Sequence, residues 1–151
     1  MKVLVFSIGP DRYALRLGAI VRVLPVMALK QVPLAPAFVA GLMDLQGEPV
    51  PVIDLSLLAG FTPEQVWFDT RIILVDYPLP GGGNARLGLQ AEHVTGVETL
   101  EQASLRAPGV GSAPFLGQVA GSSAGMLQLV ELDALLTPQV RALLFPSQVP
   151  A

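Results

Sequence analysis

The sequence predicts an all-β chain built from two copies of one small unit. Three observations point there. Short apolar runs rich in β-branched residues recur between Gly, Pro and Asp turn signals. Residues 38–58 read as a hairpin followed by one short helical turn. That plan then returns in the second half of the chain. Ala35-Pro36-Ala37-Phe38 is echoed by Ala113-Pro114-Phe115, and Gly41, roughly, by Gly117. Val52-Ile53-Asp54-Leu55-Ser56-Leu57-Leu58 is echoed by Val130-Glu131-Leu132-Asp133-Ala134-Leu135-Leu136. Upstream, Ala14-Leu15-Arg16-Leu17-Gly18-Ala19 resembles Arg86-Leu87-Gly88-Leu89-Gln90-Ala91. The matches keep their order, roughly seventy to eighty positions apart, as internal repeats do.

The elements follow in order. Residues 2–8 form a strand, Gly9-Pro10-Asp11 a turn and residues 13–17 the partner strand. Gly18 and Ala19 make a short helical step. Residues 20–24 are a third strand, ended by Pro25. Pro33 and Pro36 keep residues 26–37 an extended connection. Residues 41–45 and 50–53 form the central hairpin around a Gln46-Gly47-Glu48 turn, with Gly47 at positive φ. Pro49 and Pro51 mark the return strand as an edge or interrupted one. Asp54 stands as N-cap of the turn Leu55-Ser56-Leu57-Leu58, which Ala59-Gly60 closes.

Residues 61–68 are a loop in which Thr62-Pro63-Glu64 offers a helix start. Residues 71–75 are a buried strand, and residues 78–84 a glycine-rich hairpin loop. That loop precedes a strand, not the helix N-terminus that phosphate binding needs. Strands follow at 86–89 and 94–100. A second hairpin, 117–120 with 126–130, is joined through residues 121–125. Thr137 and Pro138 are the N-cap and N1 of a final helix reaching about Phe145, with Val140, Leu143 and Leu144 on one face. Residues 146–151 are expected to fray. The repeat gives one domain of two subdomains, approximately 15–75 and 76–140.

Composition narrows the function. The chain has 151 residues, 52% hydrophobic and only 14% charged, which excludes a disordered segment. So little charge leaves apolar surface exposed, and such surface marks partner interfaces. The net charge is -3 and the nine basic residues are scattered, without the footprint that nucleic acid requires. Without cysteine there are no disulfides, thiolate metal sites or cysteine nucleophiles. Asp11 and Arg12 interrupt the N-terminal apolar run too early for a signal peptide, and no run reaches the ~18 residues of a membrane span. The cytoplasm is the expected compartment.

Catalytic chemistry has few carriers. His93 is the single histidine, so a Ser-His-Asp site would have to use it and a multi-histidine metal site is excluded. Asp44, Glu48 and Asp54 sit near one hairpin. With His93 they define the rival reading, a small-ligand-binding or metal-dependent domain. The plainer reading makes Glu48 a solvated turn acid, Asp54 a cap, His93 structural, and Asp133 a second cap. No catalytic residue, cofactor or metal is expected.

The stretch Pro33-x-x-Pro36-Ala37-Phe38-x-x-Gly41-x-x-x-Leu45-x-Gly47-x-x-x-Pro51-Val52-Ile53-Asp54-Leu55 resembles the CheW-like family, the coupling proteins of bacterial chemotaxis. Phe6-x-Ile8 with Tyr13-x-Leu15, the repeat and the length extend the resemblance over nearly the whole chain. It implies a single domain of two intertwined, five-stranded, SH3-like barrels side by side, with strand 2–8 and helix 137–145 crossing over between them, and a non-enzymatic adaptor. The implied partners are the cytoplasmic tip of methyl-accepting receptors and the regulatory domain of a CheA-type histidine kinase, at membrane receptor arrays. The implied receptor groove runs over Ile20, Val23, Val39 and Gly41.

Two positions depart from the family pattern. The hairpin turn reads Leu45-Gln46-Gly47 where the family has Leu-Arg-Gly. Arg22 stands where a Val-x-Glu-Val motif places an acid. Arg22, Gln46 and Gly47 therefore join the partner surface as positions that tune choice of partner. An adaptor of a pilus or surface-motility pathway with a non-standard partner is the alternative home. A detached regulatory portion of a larger kinase is a third, against which the Met1 start and the closed repeat weigh.

Overall fold

One strand runs through both halves of the molecule. The computed structural model describes residues 1–111, 113–122 and 125–146. In it β7 (Asn84–Thr99) is continuous over 16 residues, where the sequence suggests two separate strands. Its first half pairs antiparallel with β6 (Arg71–Pro78), and its second half antiparallel with β1 (Lys2–Ile8). His93 at φ 49 and Gly96 at φ 145 turn the strand between the two partners, where the pairing with β1 also slips register.

The first barrel holds β3 (Ile20–Pro25), β6, the first half of β7, β5 (Glu48–Asp54) and β4 (Val39–Leu45), in that order. The second holds the rest of β7, then β1, β2 (Asp11–Arg16), β9 (Gly125–Val130) and β8 (Leu116–Ser122). A cut near residues 75–76 thus falls inside β6, and the N-terminal hairpin pairs with the C-terminal one. Each barrel has one parallel contact, β5 on β7 and β2 on β9, at equivalent places. The chain is an all-β fold of two SH3-like barrels.

Strand periodicity explains the apolar content. On β6, Ile72 and Leu74 face the first barrel's interior, while Ile73, Val75 and Tyr77 face a layer between the barrels. On β1, Val3 and Val5 face the second barrel's interior, and Leu4, Phe6 and Ile8 the shared layer. Both faces of these strands are buried, so they read as near-continuous apolar runs. Each fully buried Leu, Ile or Phe is worth about 1.5–3 kcal/mol, which places much of the stability in the shared layer.

Local structure follows the sequence signals with several corrections. Asp54 caps α1 (Leu55–Leu58), its Oδ1 accepting the Leu57 N–H at 3.1 Å. Thr137 caps α2 (Pro138–Leu144) by accepting the Val140 N–H at 3.2 Å. A 3₁₀ turn, Leu17–Ala19, makes the step before β3. Residues 62–64 form no helix, and Glu48 begins β5 rather than lying in the turn. The first residues of β5 pair only with β4, so Pro49 and Pro51 sit on an edge, whereas Val52 to Asp54 also pair with β7.

In α2, Leu143 is 46% exposed. The inward set is Val140, Leu144 and Phe145, with Phe145 stacked on Tyr77 at 5.8 Å. Asp133 makes no capping hydrogen bond among the described residues: it lies within the 3₁₀ turn Leu132–Ala134, whose N-cap is Glu131. The Asp54 N–H bonds the Phe38 carbonyl at 2.8 Å, and the Glu131 N–H bonds the Phe115 carbonyl at 2.7 Å. The structural repeat therefore matches Asp54 with Glu131. Of the expected second hairpin loop, Ser123 and Ala124 lie outside the described residues, as do residues 147–151 of the expected frayed end.

Candidate partner-binding site

β3 ends the strand order, so among the described residues it pairs with β6 on one side only and its other edge is open. Leu24 points inward, whereas Val21, Arg22 and Val23 are exposed, Val23 by 41%. Consecutive exposed residues mean that both faces of this segment meet solvent there. The register slip between Ile20 and Arg22 contributes to this. Ile20 is half-buried against the shared layer. Arg22 forms no ion pair among the described residues. An open edge offers unpaired backbone groups, and its exposed valines offer apolar area to a partner.

The β4–β5 turn is tight. Leu45 pairs with Glu48, leaving Gln46 and Gly47 as a two-residue loop with φ 53 and 88, the pattern of a type I′ turn. The Asp44 carboxylate accepts the Gly47 N–H at 2.8 Å, which fixes the turn. Gln46 and Gly47 are both exposed.

The remaining expected site residues lie inside. Val39 is 8% exposed and belongs to the shared core. Gly41 has φ 146, and a Cβ there would stand 2.5 Å from the Lys30 carbonyl oxygen and 2.9 Å from Leu29 Cβ. Lys30 and Leu42 exchange backbone hydrogen bonds at 2.9 and 2.8 Å. The close approach that Gly41 permits is made by the chain's own connection.

The four residues of the rival ligand reading are dispersed. Asp44 and Glu48 flank the turn, Asp54 caps α1, and His93 Nδ1 lies 2.8 Å from Asp69 Oδ1. Among the described residues no three His, Cys, Asp or Glu side chains converge on a metal position. No helix among them is long and apolar enough to cross a membrane.

The two most exposed large apolar residues among those described have no place in the expected surface. Leu34 stands fully exposed at φ 66 in the connection before β4. Phe68 is 95% exposed in the loop before β6. The signal for it was Val66-Trp67-Phe68, an apolar triplet inside a loop without strand alternation.

Comparison with known proteins places this architecture. The family model described as CheW-like domain matches residues 2–139. A chemotaxis protein CheW of Helicobacter pylori (strain ATCC 700392 / 26695) is 33% identical over 70 residues, 46% of this chain and 42% of that protein. The matched part is thus less than half of that relative's length. The crystal structure of the scaffolding protein TtCheW from Thermoanaerobacter tengcongensis superposes with a TM-score of 0.78 at 27% identity. That match covers 89% of this chain and 90% of that one. With the family match spanning both barrels and the strand that joins them, the chain belongs to the CheW-like domain family.

Proposed function

We propose that this protein is a non-enzymatic scaffold of a chemotaxis-type signalling assembly. It joins the cytoplasmic tip of methyl-accepting receptors to the regulatory domain of a CheA-type histidine kinase, at the cytoplasmic face of receptor arrays. The observation that carries this reading is the family match across residues 2–139, together with the likeness to a scaffolding protein over nine-tenths of both chains. The receptor surface is the open side of β3, Ile20, Arg22 and Val23, with the Gln46-Gly47 turn. Val39 and Gly41 support it from within.

The test is direct binding of the purified chain to a receptor-tip fragment and to a CheA regulatory domain, by calorimetry. Val23→Asp should weaken receptor binding about tenfold or more, because it places a charge in the apolar contact. Absence of binding to either partner removes the proposal.

One observation favours a second reading, an adaptor for a non-standard partner in a pilus or surface-motility pathway. Arg22 is exposed and without an ion pair among the described residues, on the edge where the family pattern has an acid. Like charges across an interface discriminate strongly between partners. Arg22→Glu with Gln46→Arg should raise affinity for the standard receptor and kinase fragments. No gain would place partner choice elsewhere.

A further inference from the structure

The first barrel carries another built surface, none of whose residues lies on β3 or in the Gln46-Gly47 turn. It is the loop of residues 61–70 and the cavity beneath it. The loop is held by its own hydrogen bonds. The Trp67 N–H donates to Thr70 Oγ1 at 2.8 Å, and the Thr70 N–H to the Trp67 carbonyl at 3.1 Å. Arg71 Nη1 donates to the Phe68 carbonyl at 2.8 Å. Two further ties reach β7: Trp67 Nε1 donates to Glu92 Oε2, and the Val94 N–H to the Asp69 carbonyl at 3.0 Å. Asp69 also faces His93, at 2.8 Å. Phe68 is therefore thrust into solvent from a fixed turn, with Val66 and Phe61 exposed on the same loop. A fixed, exposed aromatic loses little conformational freedom when a partner covers it.

The loop borders a cavity of about 320 Å³ through Pro63, Val66 and Thr70; Leu57 and Ala91 complete its apolar wall, and the carboxylates of Asp54 and Glu92 are among its lining groups. Neither acid forms an ion pair among the described residues. Glu92 accepts neutral hydrogen bonds from Ser56 Oγ and Trp67 Nε1, and Asp54 accepts the Leu57 N–H. Burial raises the pKa of Asp54, and the charge of Glu92 pushes it in the same direction. The nearby cation, Arg71, is turned onto the Phe68 and Thr70 carbonyls. The cavity thus combines apolar walls with negative charge that no cation among the described residues pairs.

We infer that this face is a second docking surface, which takes a lysine or arginine side chain of a partner protein into the cavity while an apolar residue beside it covers Phe68 and Val66. A basic side chain matches both features, since its methylene stem suits the walls and its charged head the two carboxylates. Phe68 selects a protein over a small amine, because it presents apolar area outside the cavity that a small amine leaves bare. This surface shares no residue with the receptor surface proposed above, so either can fail alone.

Trp67, the single tryptophan, reports on the site, because its indole N–H is bonded to Glu92. The experiment follows the Trp67 indole resonance of ¹⁵N-labelled full-length chain during titration with acetyl-Leu-Arg-Leu-amide. The same peptide with Gln or with Glu in place of Arg, and arginine amide alone, are the controls. The expected result is a saturable shift with the Arg peptide, weakened in Phe68→Ser, which removes apolar contact area, and weakened up to about fivefold in Glu92→Gln, the upper end for one half-exposed charge contact. The Phe68→Ser variant leaves the indole bond intact, and its spectrum verifies the fold. No shift with the Arg peptide, or an equal shift with the Gln peptide, overturns the proposal. Arginine amide binding as tightly as the peptide makes the occupant a small amine, and a shift that follows protein concentration without peptide makes it a second copy; both overturn it.

Discussion

The Glu131 carboxylate accepts two hydrogen bonds from Arg16 Nη1, at 3.0 and 2.9 Å, and does so by lying across Gly117. Glu131 is the counterpart of Asp54 in the second barrel, but its carboxylate leaves the cap position and ties β2 to the end of β9. A Cβ on Gly117 would meet Glu131 Cγ at 2.9 Å and Oε1 at 2.8 Å. Gly117→Ala should therefore swing this flexible side chain aside and cost no more than the ion pair it breaks, about 0.2–1 kcal/mol. In a Glu131→Ala background the same change should cost almost nothing. The ion pair is half-exposed, so Glu131→Ala alone should cost only about 0.2–1 kcal/mol. A double-mutant cycle by urea unfolding measures the coupling, and purely additive costs would show that Gly117 answers to something other than Glu131.

Gly41 and Gly47 are separated by the same kind of test. Both have positive φ, but a Cβ added at Gly41 would meet backbone at 2.5 Å, whereas one added at Gly47 would find nothing within 4 Å. Gly47→Ala should cost about 1 kcal/mol, from backbone strain alone. Gly41→Ala should cost at least about 2 kcal/mol, because Lys30 must also move. A Gly41→Arg chain that loses partner binding should accordingly show a lowered unfolding midpoint. If it binds nothing yet unfolds like the parent, Gly41 acts through the partner and not through Lys30.

Asp54 makes stability depend on pH. Burial raises its pKa above the ordinary 3.8, with Glu92 adding to the rise, so the folded chain holds this proton more tightly than the unfolded chain. The cost of the charged form is fully present above the folded pKa and is lost as pH falls through that value toward 3.8. Asparagine caps a helix as well as aspartate does and carries no charge. Asp54→Asn should thus be more stable than the parent at about pH 7, with the difference closing toward about pH 4. Urea midpoints across this range decide it, and a gap that widens on acidification reverses the assignment.

What the sequence made legible was what neighbouring residues decide. The cap at Asp54, the Thr137-Pro138 helix start and the Gly47 turn each rest on contacts within a few positions. The continuity of β7 was hidden because the left-handed His93 and the bend at Gly96 reset the apolar alternation in mid-strand. The pairing of β2 with β9 joins residues over a hundred positions apart and leaves no local mark. Among the expected partner residues, Arg22, Val23, Gln46 and Gly47 are exposed, while Gly41 is not. A glycine reads the same in sequence whether its vacancy admits a partner or the chain's own Lys30.

The exchange of strands between barrels carries the last prediction. The first barrel takes the first half of β7 from beyond the Leu79–Gly83 hydrogen-bonded loop, and the second takes β1 and β2 from the start of the chain. A fragment of residues 1–80 lacks the strand that β5 and β6 share, leaving Ile53, Ile73 and Val75 without Leu87 and Leu89 of the shared layer. A fragment of residues 81–151 lacks β1 and β2, so β9 loses its parallel partner. Exposed strand edges and apolar faces of this kind do not sustain a folded state. Each fragment alone should give a collapsed, poorly dispersed amide spectrum. Mixed in equal amounts they should recover the dispersion of the intact chain, because the break falls in a surface loop and every strand pair can re-form. A native-like spectrum from residues 1–80 alone would mean that the first barrel closes without β7, and that the two barrels fold as separate units.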